Sequence, residues 1–245
     1  MKYCDINCDM GEGIGNDELI MPYITSANIA CGYHAGNFTT MRETVLLAKK
    51  FNVNIGAHPS FDDSDNFGRT EINLSSNEIY KIVIAQIKTL QSITLEYETK
   101  LIHVKPHGAL YNMAAREQWI AETIALATKE CSEDLILFGL SNSHLISEGK
   151  KVGLETRSEV FADRTFSDTG SLTPRTQRNA LITTAKDAIK QALTMVNDHK
   201  VKTVSGKFIP IIAETICIHG DGIHAVEFAK ALQDAFLTND IITRL

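Results

Sequence analysis

Residues 5–15 read DINCDMGEGIG, and the first half of that string decides the fold. Asp5, Asn7 and Asp9 alternate with Ile6 and Cys8, the period-2 pattern of a β-strand with one polar and one apolar side. A strand in a flat parallel sheet covered by helices on both faces is apolar throughout. A polar row that runs out into glycines suits a closed barrel better, with functional groups in its lumen and at its rim.

Outward from this strand the chain alternates. β-like runs occupy 3–8, 26–31, 53–57, 101–105, 135–138, 154–161 and 214–218, with helical patterns between them. Residues 39–51 open with Thr40 and Glu43 at capping-box spacing and align Met41, Val45 and Ala48. Residues 76–97 open with Ser75 and Glu78 at the same spacing and carry Ile79, Ile82, Val83, Ile87, Leu90 and Ile93 at helical period. Residues 180–197 and 223–237 are also amphipathic, the latter through Phe228, Leu232 and Phe236. Seven strands alternating with helices predict a parallel sheet wrapped by helices. The polar first strand favours a closed, somewhat irregular β/α barrel over an open doubly wound sheet. No linker or repeat divides residues 1–245, which read as a single domain with a hairpin excursion at 199–213, around Ser205-Gly206.

In β/α architectures the site lies where strands end and loops begin. Here those ends are crowded. The first strand ends in Asn7, Asp9, Gly11 and Glu12; the second in Gly32, Tyr33, His34 and Gly36; the third in Gly56, His58 and Ser60. The fourth ends in Lys105, His107 and Gly108; the sixth in Glu159, Asp163 and Arg164; the seventh in His219, Gly220 and Asp221. A single histidine after a strand is most often structural. Histidines at four strand ends, beside small residues that admit a ligand, point to a polar catalytic pocket. Two chemistries fit it. Asp9 with His34, His58 or His219 would hold a divalent metal that activates water. Alternatively, Asp9 or Glu12 as base and a histidine as acid would work without metal.

Composition removes other classes. With 24 basic against 30 acidic residues, the net charge of −6 argues against nucleic acid and anionic membrane surfaces. No apolar run reaches the roughly 18–20 residues of a membrane span, and charged residues follow Met1 at once, so a cytoplasmic address is expected. Cys4, Cys8, Cys31, Cys131 and Cys217 form no CxxC pair; Cys4, Cys8, Cys31 and Cys217 sit in apolar or β-like stretches and read as reduced, buried thiols, with a nucleophilic cysteine as the lesser alternative. Gly206-Lys207 runs into Phe208, so no P-loop is present, and no GxSxG elbow occurs. Gly11-Glu12-Gly13-Ile14-Gly15 lacks GxGxxG spacing and carries a glutamate that would repel phosphate, so any ATP is held elsewhere. The polar segment 59–74 reads equally as a solvated loop or as a lid whose Gly68-Arg69 brings a guanidinium over the pocket. A second long loop, 163–178, carries Arg164, Arg175 and Arg178.

Six strings, DINCDMGEGIG at 5–15, SANIACGYHAG at 26–36, GAHPS at 56–60, VKPHGALYN at 104–112, EVFADR at 159–164 and ICIHGD at 216–221, closely resemble the LamB/YcsF family of 5-oxoprolinase A-type proteins. They span essentially the whole chain. Departures from the family pattern, such as Asn37-Phe38 after HAG, Asn66 before Phe67-Gly68-Arg69, Thr173 before Pro174 and Gly222-Ile223-His224 after HGD, fall in loops. The resemblance implies an irregular seven-stranded barrel like those of polysaccharide deacetylases and some glycoside hydrolases. It also implies ATP-dependent opening of the 5-oxoproline lactam to L-glutamate with partner subunits B and C, which would bind the ATP and phosphorylate the lactam oxygen. On that expectation Asp9 or Glu12 activates water and His58, His107 or His219 protonates the leaving nitrogen. Lys105 and Arg164 offset developing charge, Arg69 or Arg175 holds the substrate carboxylate, and Asn7, His34 and Glu159 complete the substrate site. The competing readings are a stand-alone metal-dependent deacetylase or amidohydrolase acting on a small amide or sugar, and a non-catalytic protein that only binds a small ligand.

Overall fold

Seven parallel strands close into a barrel in the computed structural model, which describes residues 2–220 and 225–245. They are β1 (Asp5–Met10), β2 (Ser26–Ala30), β3 (Asn54–His58), β4 (Leu101–Val104), β5 (Ile136–Leu140), β6 (Thr156–Phe161) and β7 (Thr215–Ile218). Each pairs with the next in sequence, and β7 pairs back onto β1 with Thr215 opposite Asp5. The closed barrel is thus what β1 predicted: Ile6, Cys8 and Met10 pack into the apolar core between strands and helices, while Asp5, Asn7 and Asp9 bond one another's neighbours inside. The first predicted strand moves from 3–8 to Asp5–Met10, because Lys2 and Tyr3 pair instead with Ile241 and Ile242 near the C-terminus.

The interior is filled rather than hollow, and one glycine shows how tightly. A Cβ on Gly56 of β3 would collide with the imidazole of His103, which β4 sends across the lumen to stack on Phe138 of β5. Any side chain at position 56 would evict that imidazole.

Helices α1 (Phe38–Phe51), α2 (Ser76–Glu96), α3 (Gly108–Arg116), α4 (Gln118–Cys131), α5 (His144–Lys151), α6 (Ala185–Asp198) and α7 (Ala225–Thr238) lie between or after the strands. Ile79, Val83, Ile87 and Leu90 of α2 are completely buried; side chains of this kind each contribute about 1.5–3 kcal/mol on burial. Ser75 and Glu78 cap α2 reciprocally, as their spacing predicts. The cap of α1 differs from expectation. Asn37 is its N-cap, accepting from the amides of Thr39 and Thr40, and Thr40 returns the bond to Asn37 N–H; Glu43 takes no part. The expected helix from 180 starts at Ala185, because Thr184 caps it and Ile182 N–H is drawn to the carbonyl of Asp163. The start of the helix expected at 223, and Asp221 before it, lie outside the described residues. Lys200–Lys202 and Phe208–Pro210 form an antiparallel hairpin outside the barrel. Among the described residues no helix is long and apolar enough to cross a membrane.

Candidate active site

The barrel interior is layered from floor to mouth. At the floor the Asp5 carboxylate accepts hydroxyl bonds from Thr25, Ser26 and Thr215 at 2.5–2.7 Å. Burial raises its pKa, and the three hydroxyl bonds only partly counter this. One layer up, Asn7 donates to Thr215 Oγ1 at 2.7 Å and to Glu159 Oε1 at 3.0 Å, and accepts from Asn28 at 2.8 Å. Asn28 Oδ1 in turn meets His103 Nε2 at 2.8 Å.

Above this sits Lys105, buried at the end of β4. Its ammonium lies 2.8 Å from Asp9 Oδ1, 2.9 Å from Glu159 Oε1 and 3.2 Å from Asn7 Oδ1. Burial disfavours its charge, but the Asp9 and Glu159 carboxylates outweigh that and raise its pKa well above the usual lysine value. Asp9 shows the converse. Burial would push its carboxyl up, yet His58, 3.4 Å from Oδ2, and Lys105 hold it well below the usual carboxylate range. Asn28 donates to the same oxygen as Lys105. Tyr111 from α3 closes the set with a 2.6 Å bond to Glu159 Oε2.

At the mouth the histidines meet. His58 Nε2 and His107 Nδ1 are 2.9 Å apart, and the His34 ring stacks on His107 with centroids at 3.8 Å. His34 Nε2 lies 3.3 Å from Oε1 of Glu12, whose side chain is only 4% exposed. Burial and then the neighbouring His58 push the His34 pKa down to about 3, and burial with His34 and His58 lowers that of His107. The segment 59–74 is fastened to this cluster. Its Phe67 carbonyl bonds His107 Nε2 at 2.9 Å, and its Gly68 carbonyl takes the Ala109 amide. Gly68 at φ +65° can approach so closely because it lacks a Cβ, which would meet His34 and His107 within 3 Å.

A cavity of about 750 Å³ opens over these groups. Asp9, Glu12, His58, Arg69, Lys105, His107, Arg164, Arg175 and His219 all reach its wall, whereas Asn7 and Glu159 lie beneath it and His34 behind His107. Arg178 sits on the exposed loop away from that wall. Arg164 is buried and bonds the carbonyls of Thr173 and Ala180, so it braces the loop that carries Arg175. His219 does not join the other imidazoles. Its Nδ1 lies 2.9–3.0 Å from both Asp163 oxygens, which hold it in one orientation. Of the residues expected from sequence as metal candidates, His219 is drawn to Asp163 while Asp9 lies 3.4 Å from His58; among the described residues the donors that converge closely enough to hold an ion are those of Glu12, His34, His58 and His107. Cys4, Cys8, Cys31 and Cys217 are buried free thiols, and burial pushes Cys31 up to about 12, so none is a ready nucleophile.

Asn28, His103, Ser60 and Tyr111 complete the site, and sequence reasoning assigns none of them a role. Asn28 and His103 do carry a signal, as polar residues at alternate positions of apolar strands. Tyr111 carries none, since a helical tyrosine in an apolar setting is ordinary core.

Residues 4–244 match the LamB/YcsF family. The chain belongs to that family. Family relatives include the 5-oxoprolinase A subunit of Brevibacillus brevis, 50% identical over 96% of this chain and 94% of its own length. That of Shouchella clausii is 53% identical over 95% of this chain and 94% of its own. Among solved structures, a lactam utilization protein from Thermus thermophilus superposes with a TM-score of 0.92 at 38% identity, covering 100% of this chain and 99% of that one.

Proposed function

We propose that this protein is the A component of an ATP-dependent 5-oxoprolinase and that it opens the lactam ring after partner subunits B and C have phosphorylated the lactam oxygen with ATP. The names of its family relatives support the substrate class. The observation that carries the chemistry is Asp9, a buried carboxylate whose Oδ1 accepts from the Lys105 ammonium at 2.8 Å at the wall of the cavity. A five-membered lactam is a resonance-stabilised amide, so water attacks it slowly until its oxygen is made a better electron sink. Phosphorylation does that. Asp9 then takes a proton from water as its oxygen bonds the activated carbon. The ring C–N bond breaks as the nitrogen takes a proton from His219, oriented by Asp163 in the manner of a carboxylate-held imidazole. The open product is an acyl phosphate, and a second water releases phosphate and L-glutamate. Arg69 and Arg175 on the cavity wall suit the substrate carboxylate and the phosphoryl group. Lys105, enclosed by Asp9, Glu159 and Asn7, serves by holding Asp9 charged.

The test uses Asp9→Asn, which keeps the shape of the side chain. In the reconstituted three-component system we expect glutamate release to fall by at least about 1,000-fold, while 5-oxoproline-dependent ATP hydrolysis persists. Undiminished glutamate release, or loss of assembly in place of loss of chemistry, would remove Asp9 from this role.

A further inference from the structure

The outer hydrogen bonds of three histidines fix where their protons sit. His58 Nδ1 lies 2.7 Å from the Lys105 carbonyl, and His107 Nε2 lies 2.9 Å from the Phe67 carbonyl. A carbonyl only accepts, so both nitrogens carry hydrogen. A neutral imidazole has one N–H, which leaves lone pairs on His58 Nε2 and His107 Nδ1. These two atoms face each other at 2.9 Å. His34 repeats the pattern. Its Nδ1 is 3.0 Å from Ser60 Oγ, and that hydroxyl is committed as donor to the Phe61 carbonyl at 2.7 Å. His34 Nδ1 must therefore donate, which leaves a lone pair on Nε2, pointed at Glu12 Oε1 3.3 Å away.

Two lone-pair contacts lie side by side in a buried site, and each is repulsive unless something positive sits between. Relieving them with protons takes two, one that makes an imidazolium of His58 or His107 beside the stacked His34 ring and a second that either neutralises Glu12 or charges His34. One doubly charged ion relieves both contacts at once. One ligand atom from each of the four residues lies within 4.8 Å of the others, and the separations include 2.9, 3.3 and 3.9 Å. Tetrahedral coordination at bond lengths near 2.0–2.1 Å places donors roughly 3.3 Å apart.

We propose that Glu12 Oε1, His34 Nε2, His58 Nε2 and His107 Nδ1 bind one divalent transition-metal ion, with zinc the best match to three imidazoles and a carboxylate. The Lys105 and Phe67 carbonyls and Ser60 Oγ are the outer partners that such histidines use to fix their tautomers. The glycine loop 11–15 brings Glu12 in from β1, while β3 and the starts of the loops after β2 and β4 bring the imidazoles, so the four ligands converge only when the barrel closes. Asp9 Oδ2, 3.4 Å from His58 Nε2, adjoins this centre and is left as the base. When bound, the ion supplies Lewis acidity beside the cavity. The proposal concerns binding and holds whatever amide the cavity receives.

The experiment reads metal uptake by the full chain without substrate. Protein stripped with chelator and dialysed against Zn²⁺ or Co²⁺ should retain one equivalent after gel filtration, by elemental analysis. The Co²⁺ form should show the visible absorption of a four-coordinate site, and the thermal midpoint should rise with the ion. His34→Ala and His107→Ala should each lose at least about 100-fold in affinity, and Ser60→Ala about 10-fold. Arg178→Ala, on the exposed loop, should match the unaltered protein. Because a histidine variant can fail to fold, Glu12→Gln provides a near-isosteric check and should lose about 10-fold or more. No stoichiometric ion on the folded protein, or unchanged uptake in Glu12→Gln or in a folded histidine variant, would overturn the proposal. Uptake without glutamate release would instead leave the metal site standing and fail the 5-oxoprolinase reading.

Discussion

Asp5 and Asp9 sit on one face of one strand and are both buried, yet the barrel treats them oppositely. Asp5 meets three hydroxyls and burial raises its pKa; Asp9 meets an ammonium, an amide and an imidazole and is held ionised. The difference is depth. At the floor, short side chains from β2 and β7 close the lumen and can only satisfy an acceptor. At the mouth, long side chains from β3, β4 and β6 arrive with charge, and the loops leave room for a ligand. The same residue type is thus a structural plug at one end and a reactive group at the other, and the contrast can be attacked from either side.

The largest effect should come from Lys105→Met. Removing the ammonium leaves Asp9 and Glu159 as buried carboxylates without their cation, which costs about 3–5 kcal/mol. Glutamate release should fall at least about 100-fold even below the unfolding transition, because Asp9 is no longer held charged. Denaturant titration measures the first quantity and glutamate release by the reconstituted system the second. Near-normal activity in folded Lys105→Met would mean that the mouth does not depend on this ion cluster.

Asp5→Asn should do the reverse. It disturbs three hydroxyl bonds at the floor, for about 1–3 kcal/mol of stability, while glutamate release at a permissive temperature stays within about threefold. A folded Asp5→Asn protein that is inactive would show the two ends to be coupled, through Thr215, which bonds both Asp5 and Asn7.

Sequence makes the mouth more legible than the floor. Asp9, His34, His58, Lys105 and His107 announce themselves as polar residues within two positions of glycine or proline where strands end, and the alternation in DINCD is enough to favour closure. What cannot be read is pairing. Nothing local says that His219 turns to Asp163, or that Glu12 reaches back to His34, since those contacts depend on the curvature of loops after β1 and β7. The α1 cap departs from its expected pair for a related reason. Asn37 is as good an N-cap residue as Thr40, and which one acts is set by the close fit of the preceding Gly36, where an added Cβ would lie 2.6 Å from the Gly11 carbonyl.

The smallest effect at neutral pH, and the one that tests the boundary between the two layers, concerns His103. It lies midway, bonded through Nε2 to Asn28, stacked on Phe138, with Nδ1 buried and without a hydrogen-bond partner among the described residues. Burial, and then the charge of Lys105, push its pKa down to about 3. The unfolded chain has an ordinary imidazole near 6.5. Above that pH neither state binds the proton and the folded state keeps its full stability. Between about 6.5 and 3 the unfolded state takes up a proton that the folded state refuses, so stability falls as pH falls, by about 1.4 kcal/mol per pH unit for this one group. His103→Gln should therefore flatten the dependence of unfolding free energy on pH in that window by close to one proton's worth, leaving the slopes due to other buried imidazoles in place. A slope unchanged by the substitution would mean that His103 is protonated in the native barrel, placing a second cation beside Lys105 and moving the floor of the charged layer one residue deeper.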